Sequence, residues 1–143
     1  MKKRDWIAPK SPGGLLQEKY LPDEWKVLVC CILLNRTKRA QVEPIIDQLF
    51  AKYPNAIAMV AADLVNLATL LRPLGFQNRR ARSLVKFSTD FSQKSWTDPR
   101  ELHAVGEYAA RGWEMLCAGI VGDEPPPDHA LLYYYEHLKS IGY

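Results

Sequence analysis

Leu102-His103-Ala104-Val105-Gly106, followed two residues on by Tyr108 and, past Pro125-Pro126-Pro127, by Asp128, is the stretch whose reading decides the fold. Small residues and a glycine at this spacing predict a tight turn between two short helices, a hairpin over about 99–119. The backbone N–H groups of the turn, His103, Val105 and Gly106, would point outward with the N-terminus of the second helix. That is a ready site for an anion such as a DNA phosphate. Asp128 follows after one helix and a loop, which lets it fold back beside whatever nucleotide the hairpin holds.

Outward from this stretch, the patterning is helical. Asp23 is placed as the N-cap of a helix whose apolar face is Trp25, Leu28, Val29, Ile32 and Leu33. A second helix is expected from Arg39 or Val42 to Lys52, with Pro44 in its first turn. Asn55 and Asp63 are placed as caps of short helices ending near Val60 and Leu71, the latter stopped by Pro73 and Gly75. A longer helix is predicted over about Gln77–Ser92, with its arginines outward. Asp98-Pro99 would open the first hairpin helix and Glu107–Gly119 would form the second. Asp128 would cap a last helix through about Ser140. The expectation is an all-α chain, a compact bundle of short helices, in one domain over 1–143 with a flexible basic arm at 1–12.

Composition narrows the partners. Of 143 residues, 48% are hydrophobic and 24% charged, ordinary for a globular chain. No apolar run approaches the ~18 residues of a membrane span, so no membrane association is expected. Three cysteines, two of them adjacent in an apolar helical pattern, fit free thiols in a reducing intracellular compartment. The net charge of +3 is only mildly basic. Its distribution says more: cations gather at Lys2-Lys3-Arg4, at Arg36-Lys38-Arg39 and at Arg79-Arg80-Arg82-Lys86. The last two clusters read either as solvated helix faces or as the lining of one groove.

The hairpin, Tyr108 and Asp128 resemble the helix-hairpin-helix DNA glycosylase superfamily. Further segments resemble its mismatch-specific thymine/uracil branch of the methyl-CpG-binding domain protein 4 type. They are Gly14-Leu15-Leu16-Gln17-Glu18, Leu34-Asn35-Arg36-Thr37, Lys52-Tyr53-Pro54, Leu71-Arg72-Pro73-Leu74-Gly75, Val85-Lys86-Phe87-Ser88, Glu101-Leu102-His103 and Asp128-His129. They fall in the family's order and cover roughly residues 6–138. No segment resembles a methyl-CpG-binding module.

The resemblance implies a helix-hairpin-helix glycosylase fold with a DNA-binding cleft, acting on double-stranded DNA that carries a G·T or G·U mismatch. It assigns Asp128 as the catalytic carboxylate and Tyr108 as the residue packed on the extruded base. Gln17 would read the pyrimidine edge through an amide that both donates and accepts. Arg36 would plug the vacated stack and Phe76 would wedge the opposite strand, where close relatives carry leucine. His103, Val105 and Gly106 would supply the hairpin's phosphate contacts. Read locally, Asp128 is a good N-cap, Arg36 a surface residue, Phe76 a core residue and Tyr108 an interior tyrosine. Capping and catalysis are compatible for Asp128.

Tyr108 replaces the hairpin lysine of bifunctional relatives. A phenol cannot form their Schiff base, so base removal without strand cleavage is implied. Ala104 replaces the hairpin's usual first glycine and leaves Gly106 as the position free to take positive φ. With no cysteine after Cys117, no iron–sulfur cluster is expected, and no residue set has zinc spacing. Hairpin carbonyls in such proteins can hold a monovalent cation. The protein is expected to be a monomer, placed in the nucleus if eukaryotic and in the cytoplasm or nucleoid if prokaryotic. A non-catalytic helix-hairpin-helix DNA-binding module is the alternative reading.

Overall fold

A computed structural model describes residues 5–143; the Lys2-Lys3-Arg4 cluster lies outside them. Seven α-helices make up most of the described residues: α1 (Glu24–Leu34), α2 (Arg39–Lys52), α3 (Ala56–Val60), α4 (Leu64–Leu71), α5 (Gln77–Gln93), α6 (Glu107–Trp113) and α7 (His129–Ser140). Among the described residues there is no strand. Short 3₁₀ turns at Leu16–Tyr20, Arg72–Leu74 and Pro99–Glu101 fill the connections.

The capping residues read from the sequence start these helices for the expected reason. Asp23, Asn55, Asp63 and Asp128 each accept a hydrogen bond from the N–H three residues on, at 2.9–3.0 Å. Helix α1 is apolar on nearly every side, with Val27 to Cys31 fully buried, so it runs through the centre of the molecule. The 3₁₀ turn at Leu16–Tyr20, α2, α5 and α6 pack around it, and α3 and α4 lie on α5. Two indoles tie the layers: Trp25 Nε1 donates to Ser88 Oγ (3.0 Å) and Trp113 Nε1 to Glu24 Oε1 (2.8 Å).

Four local expectations are corrected. Pro44 lies in the second turn of α2, because the helix already starts at Arg39. The first hairpin helix is only the turn Pro99–Glu101, capped by Asp98. Helix α6 passes into a wide π turn, Glu114–Ala118, which closes at Gly119. The expected flexible arm is packed from Trp6 onward: Trp6 Nε1 donates to Met115 O (3.0 Å), and Tyr134 and Tyr133 donate to the carbonyls of Pro9 and Pro12 (both 2.6 Å). Glu18 completes this anchorage by accepting from the N–H and Oγ of Ser11 and from the N–H of Leu15.

Candidate active site

Gln17, Arg36, Tyr108 and Asp128, scattered over more than a hundred residues, line one cleft of about 520 Å³. The anchored N-terminal segment brings in Gln17, the end of α1 brings Arg36, the first turn of α6 brings Tyr108, and the start of α7 brings Asp128.

Asp128 both caps and faces the cleft. Its Oδ2 accepts from Leu131 N–H at 3.0 Å, while Oδ1 has no partner among the described residues. The cap therefore fixes the carboxylate's direction and leaves one oxygen for a ligand. His129 follows it in sequence but is exposed, and its side chain makes no hydrogen bond among the described residues.

Gln17 is 1% exposed. Its Nε2 donates to Tyr108 Oη (3.0 Å) and to Cys31 Sγ (3.6 Å). Both amide hydrogens are thus turned inward, and Oε1 is the atom left for the cleft, where the sequence suggested a donor and an acceptor together. Burial, with the nearby Asp128 carboxylate contributing, raises the Tyr108 phenol above its ordinary range and keeps it neutral. The Cys31 thiol is pushed up to about 12, chiefly by burial and with Asp128 contributing.

Cys31 and Gly112 were not singled out in the sequence, yet they set this geometry. A Cβ on Gly112 would stand 3.0 Å from Cys31 Sγ and 3.8 Å from a methyl of Leu131. Glycine here lets α6 close onto α1 and α7, and Tyr108 lies one helical turn earlier on the same face of α6. The signal in the sequence was slight, a glycine inside a helical pattern beside a cysteine read as an ordinary buried thiol.

A second cleft, about 410 Å³, lies on the other side of Arg36 and is bordered by Phe76, Arg79 and Ala104. Arg36 (φ 62°), Phe76 (φ 49°) and Ala104 (φ 68°) are the non-glycine residues with left-handed backbone among the described residues, and all three border this cleft. Each such conformation costs about 1–2 kcal/mol and persists only where surrounding structure imposes it. The core reading of Phe76 is excluded, because its ring is 75% exposed. Gly75 (φ 75°) makes the preceding turn, and Arg80 Nε donates to its carbonyl (2.9 Å). Arg80 therefore turns inward to brace the turn and does not point outward with its neighbours.

The hairpin differs from expectation in its backbone. Gly106 has φ −97°, and the left-handed position falls on Ala104. His103 N–H donates to Asp90 Oδ2 (2.9 Å), and Val105 N–H to Leu102 O (3.2 Å). Two of the three N–H groups assigned to phosphate are therefore used inside the fold. Gly106 N–H has no partner among the described residues and stands at the cap of α6. The Val105 side chain is buried and anchors the turn, and Arg100 clasps it from outside through two bonds to Glu107 (2.8 and 3.0 Å). Among the described residues, no group of three or more His, Cys, Asp or Glu side chains gathers as a metal site would require.

With this architecture in view, comparison with known proteins gives the class. The chain belongs to the family described as HhH-GPD superfamily base excision DNA repair protein, whose pattern matches residues 29–130. It is 38% identical over 134 residues to a methyl-CpG-binding domain protein 4-like protein of Arabidopsis thaliana, covering 94% of this chain and 30% of that protein. It is 30% identical over 136 residues to a thymine/uracil-DNA glycosylase of Pyrobaculum aerophilum, covering 87% of this chain and 58% of the relative. The solved structure of a thermostable thymine-DNA glycosylase superposes with a TM-score of 0.63 at 25% identity, over 71% of this chain and 50% of that one. The chain thus spans less than two thirds of the length of each of these proteins.

Proposed function

We propose that this protein is a monofunctional DNA N-glycosylase that removes thymine or uracil opposite guanine in double-stranded DNA, a step of base excision repair. The observation that carries the reading is the meeting of Gln17, Arg36, Tyr108 and Asp128 in one cleft, with a free carboxylate oxygen on Asp128.

A stacked nucleotide cannot present its glycosidic carbon, so it must first be extruded, at a cost of a few kcal/mol that is least for a mismatch. Arg36 and Phe76, held outward by left-handed backbone, fill the space it leaves. Inside the cleft the base packs on the neutral Tyr108 ring. Gln17 Oε1 accepts from the imide N–H that thymine and uracil share, and a cytosine ring nitrogen would meet it lone pair to lone pair. As the glycosidic bond lengthens, positive charge develops on the sugar, as in glycoside hydrolysis. The bonding electrons leave with the base as its N1 anion. The free Asp128 oxygen stabilises the charge on the sugar, orients the attacking water and takes the proton that water gives up, and the base anion is protonated from solvent. Tyr108 offers no amine for a Schiff base, so the strand stays intact at the abasic site.

The experiment is direct. Labelled duplexes with a central G·T, G·U or G·C pair are incubated with the protein and then treated with hot alkali. Alkali-dependent breaks at G·T and G·U alone are expected, and Asp128→Asn should lower their rate by at least ~10²-fold while keeping mismatch binding. Binding without breaks in the parent protein would move it to the non-catalytic DNA-binding module. Breaks before alkali would remove the argument from Tyr108.

A further inference from the structure

We propose that the groove between α5 and the hairpin is a second seat for DNA, a track that holds the phosphates of the duplex flanking the mismatch. The inference rests on the reading that this protein binds duplex DNA and adds a part of the footprint away from the flipped nucleotide.

The groove, about 440 Å³, is bordered by Arg79, Arg82, Ser83, Lys86 and His103, and no carboxylate lines it. Arg79, Arg82 and Lys86 fall at i, i+3 and i+7, on one face of α5. Like charges at this spacing weaken a helix, and among the described residues no carboxylate is ion-paired with them. Among the described residues, none of their three side chains makes a hydrogen bond or an ion pair. By contrast, Arg39 is paired with Glu43, and Arg100 with Glu107. Asp90, one turn beyond Lys86, forms no ion pair with it and accepts from the N–H of His103, which ties the hairpin wall of the groove to the α5 wall. The walls are thus built, and the charge along them is left for something outside the chain.

Position identifies the occupant. Arg79 and Ser83 border both this groove and the cleft beside Phe76, and Arg36 borders both that cleft and the one holding Asp128. One trough therefore runs from the candidate carboxylate past the two intercalation candidates into the basic groove. Arg79 to Lys86 spans roughly 10 Å of helix, the axial length of about three phosphates of one strand. Regularly spaced anions at that interval are what a duplex backbone offers.

The test uses the whole chain and measures affinity for matched and G·T duplexes over a series of salt concentrations, with Arg79→Gln, Arg82→Gln and Lys86→Gln singly and combined. Each lost phosphate contact should reduce the slope of log K against log salt by about 0.9, equally for both duplexes. Arg82→Lys keeps the charge and should keep the slope, which guards against a variant that merely misfolds. An unchanged slope in the triple variant would overturn the track while leaving the glycosylase proposal intact. A reduced slope in a protein that never excises would support the track and sink the glycosylase. Poly-glutamate that binds more tightly than duplex, and only when the three cations are present, would reassign the groove to an acidic protein and overturn the proposal.

Discussion

The missing side chain of Gly112 is filled by the sulfur of Cys31, 3.0 Å from where a Cβ would stand. This approach of α6 to α1 puts Tyr108, Gln17 and Cys31 into one hydrogen-bonded set. Gly112→Ala should cost about 1–2 kcal/mol through overpacking, partly masked by the higher helix propensity of alanine. In a Cys31→Ala background the same change should be neutral or stabilising, because the obstructing atom is gone. Thermal unfolding of the four proteins in this cycle measures the coupling, and additive effects would show that the contact does not constrain the helices.

Alkaline pH should expose the same packing. Burial pushes the folded Cys31 thiol up to about 12, from an ordinary value of 9.0. From pH 9 upward the unfolded chain gives up a proton that the folded chain keeps. The unfolded state then binds fewer protons, so stability falls as pH rises across this window, by about 1.4 kcal/mol per unit for such a group. Tyr108, also raised by burial, adds to the fall above pH 10. Denaturant unfolding at pH 8 to 11 should show the loss, and Cys31→Ser should reduce its size, the neighbouring Cys30 thiol, also raised by burial, supplying the remainder.

Ala104 and Gly106 predict opposite outcomes from superficially similar changes. Ala104→Gly relieves a left-handed alanine and should stabilise by about 1 kcal/mol. Gly106→Ala meets no atom within 4 Å and needs no unusual φ, so it should be neutral or slightly stabilising. A stability loss in Gly106→Ala would mean that the glycine, and not the alanine, bears the strain of the turn.

Phe76 is exposed and should contribute to DNA handling without contributing to the fold. Phe76→Ala should leave the melting temperature within about a degree and lower excision from a G·T duplex by roughly tenfold, given stacking worth about 1–3 kcal/mol. Single-turnover kinetics beside a thermal scan distinguish these effects. A large fall in melting temperature would return Phe76 to the core.

Much of the helical content was legible because its causes are local. Asp23, Asn55, Asp63 and Asp128 cap helices through a hydrogen bond that reaches only three residues, and the apolar character of α1 follows from its own side chains. The positions of Gln17, Arg36, Tyr108 and Asp128 could be marked by resemblance, although nothing local told their function from ordinary capping or surface roles. Tertiary packing decided the rest. It closed Gly112 on Cys31, turned both hydrogens of the Gln17 amide inward and imposed left-handed backbone on Arg36, Phe76 and Ala104. It also spent the N–H of His103 on Asp90 of α5. These outcomes depend on atoms that are distant in the chain and meet only when the core forms, so no window of sequence contains their cause.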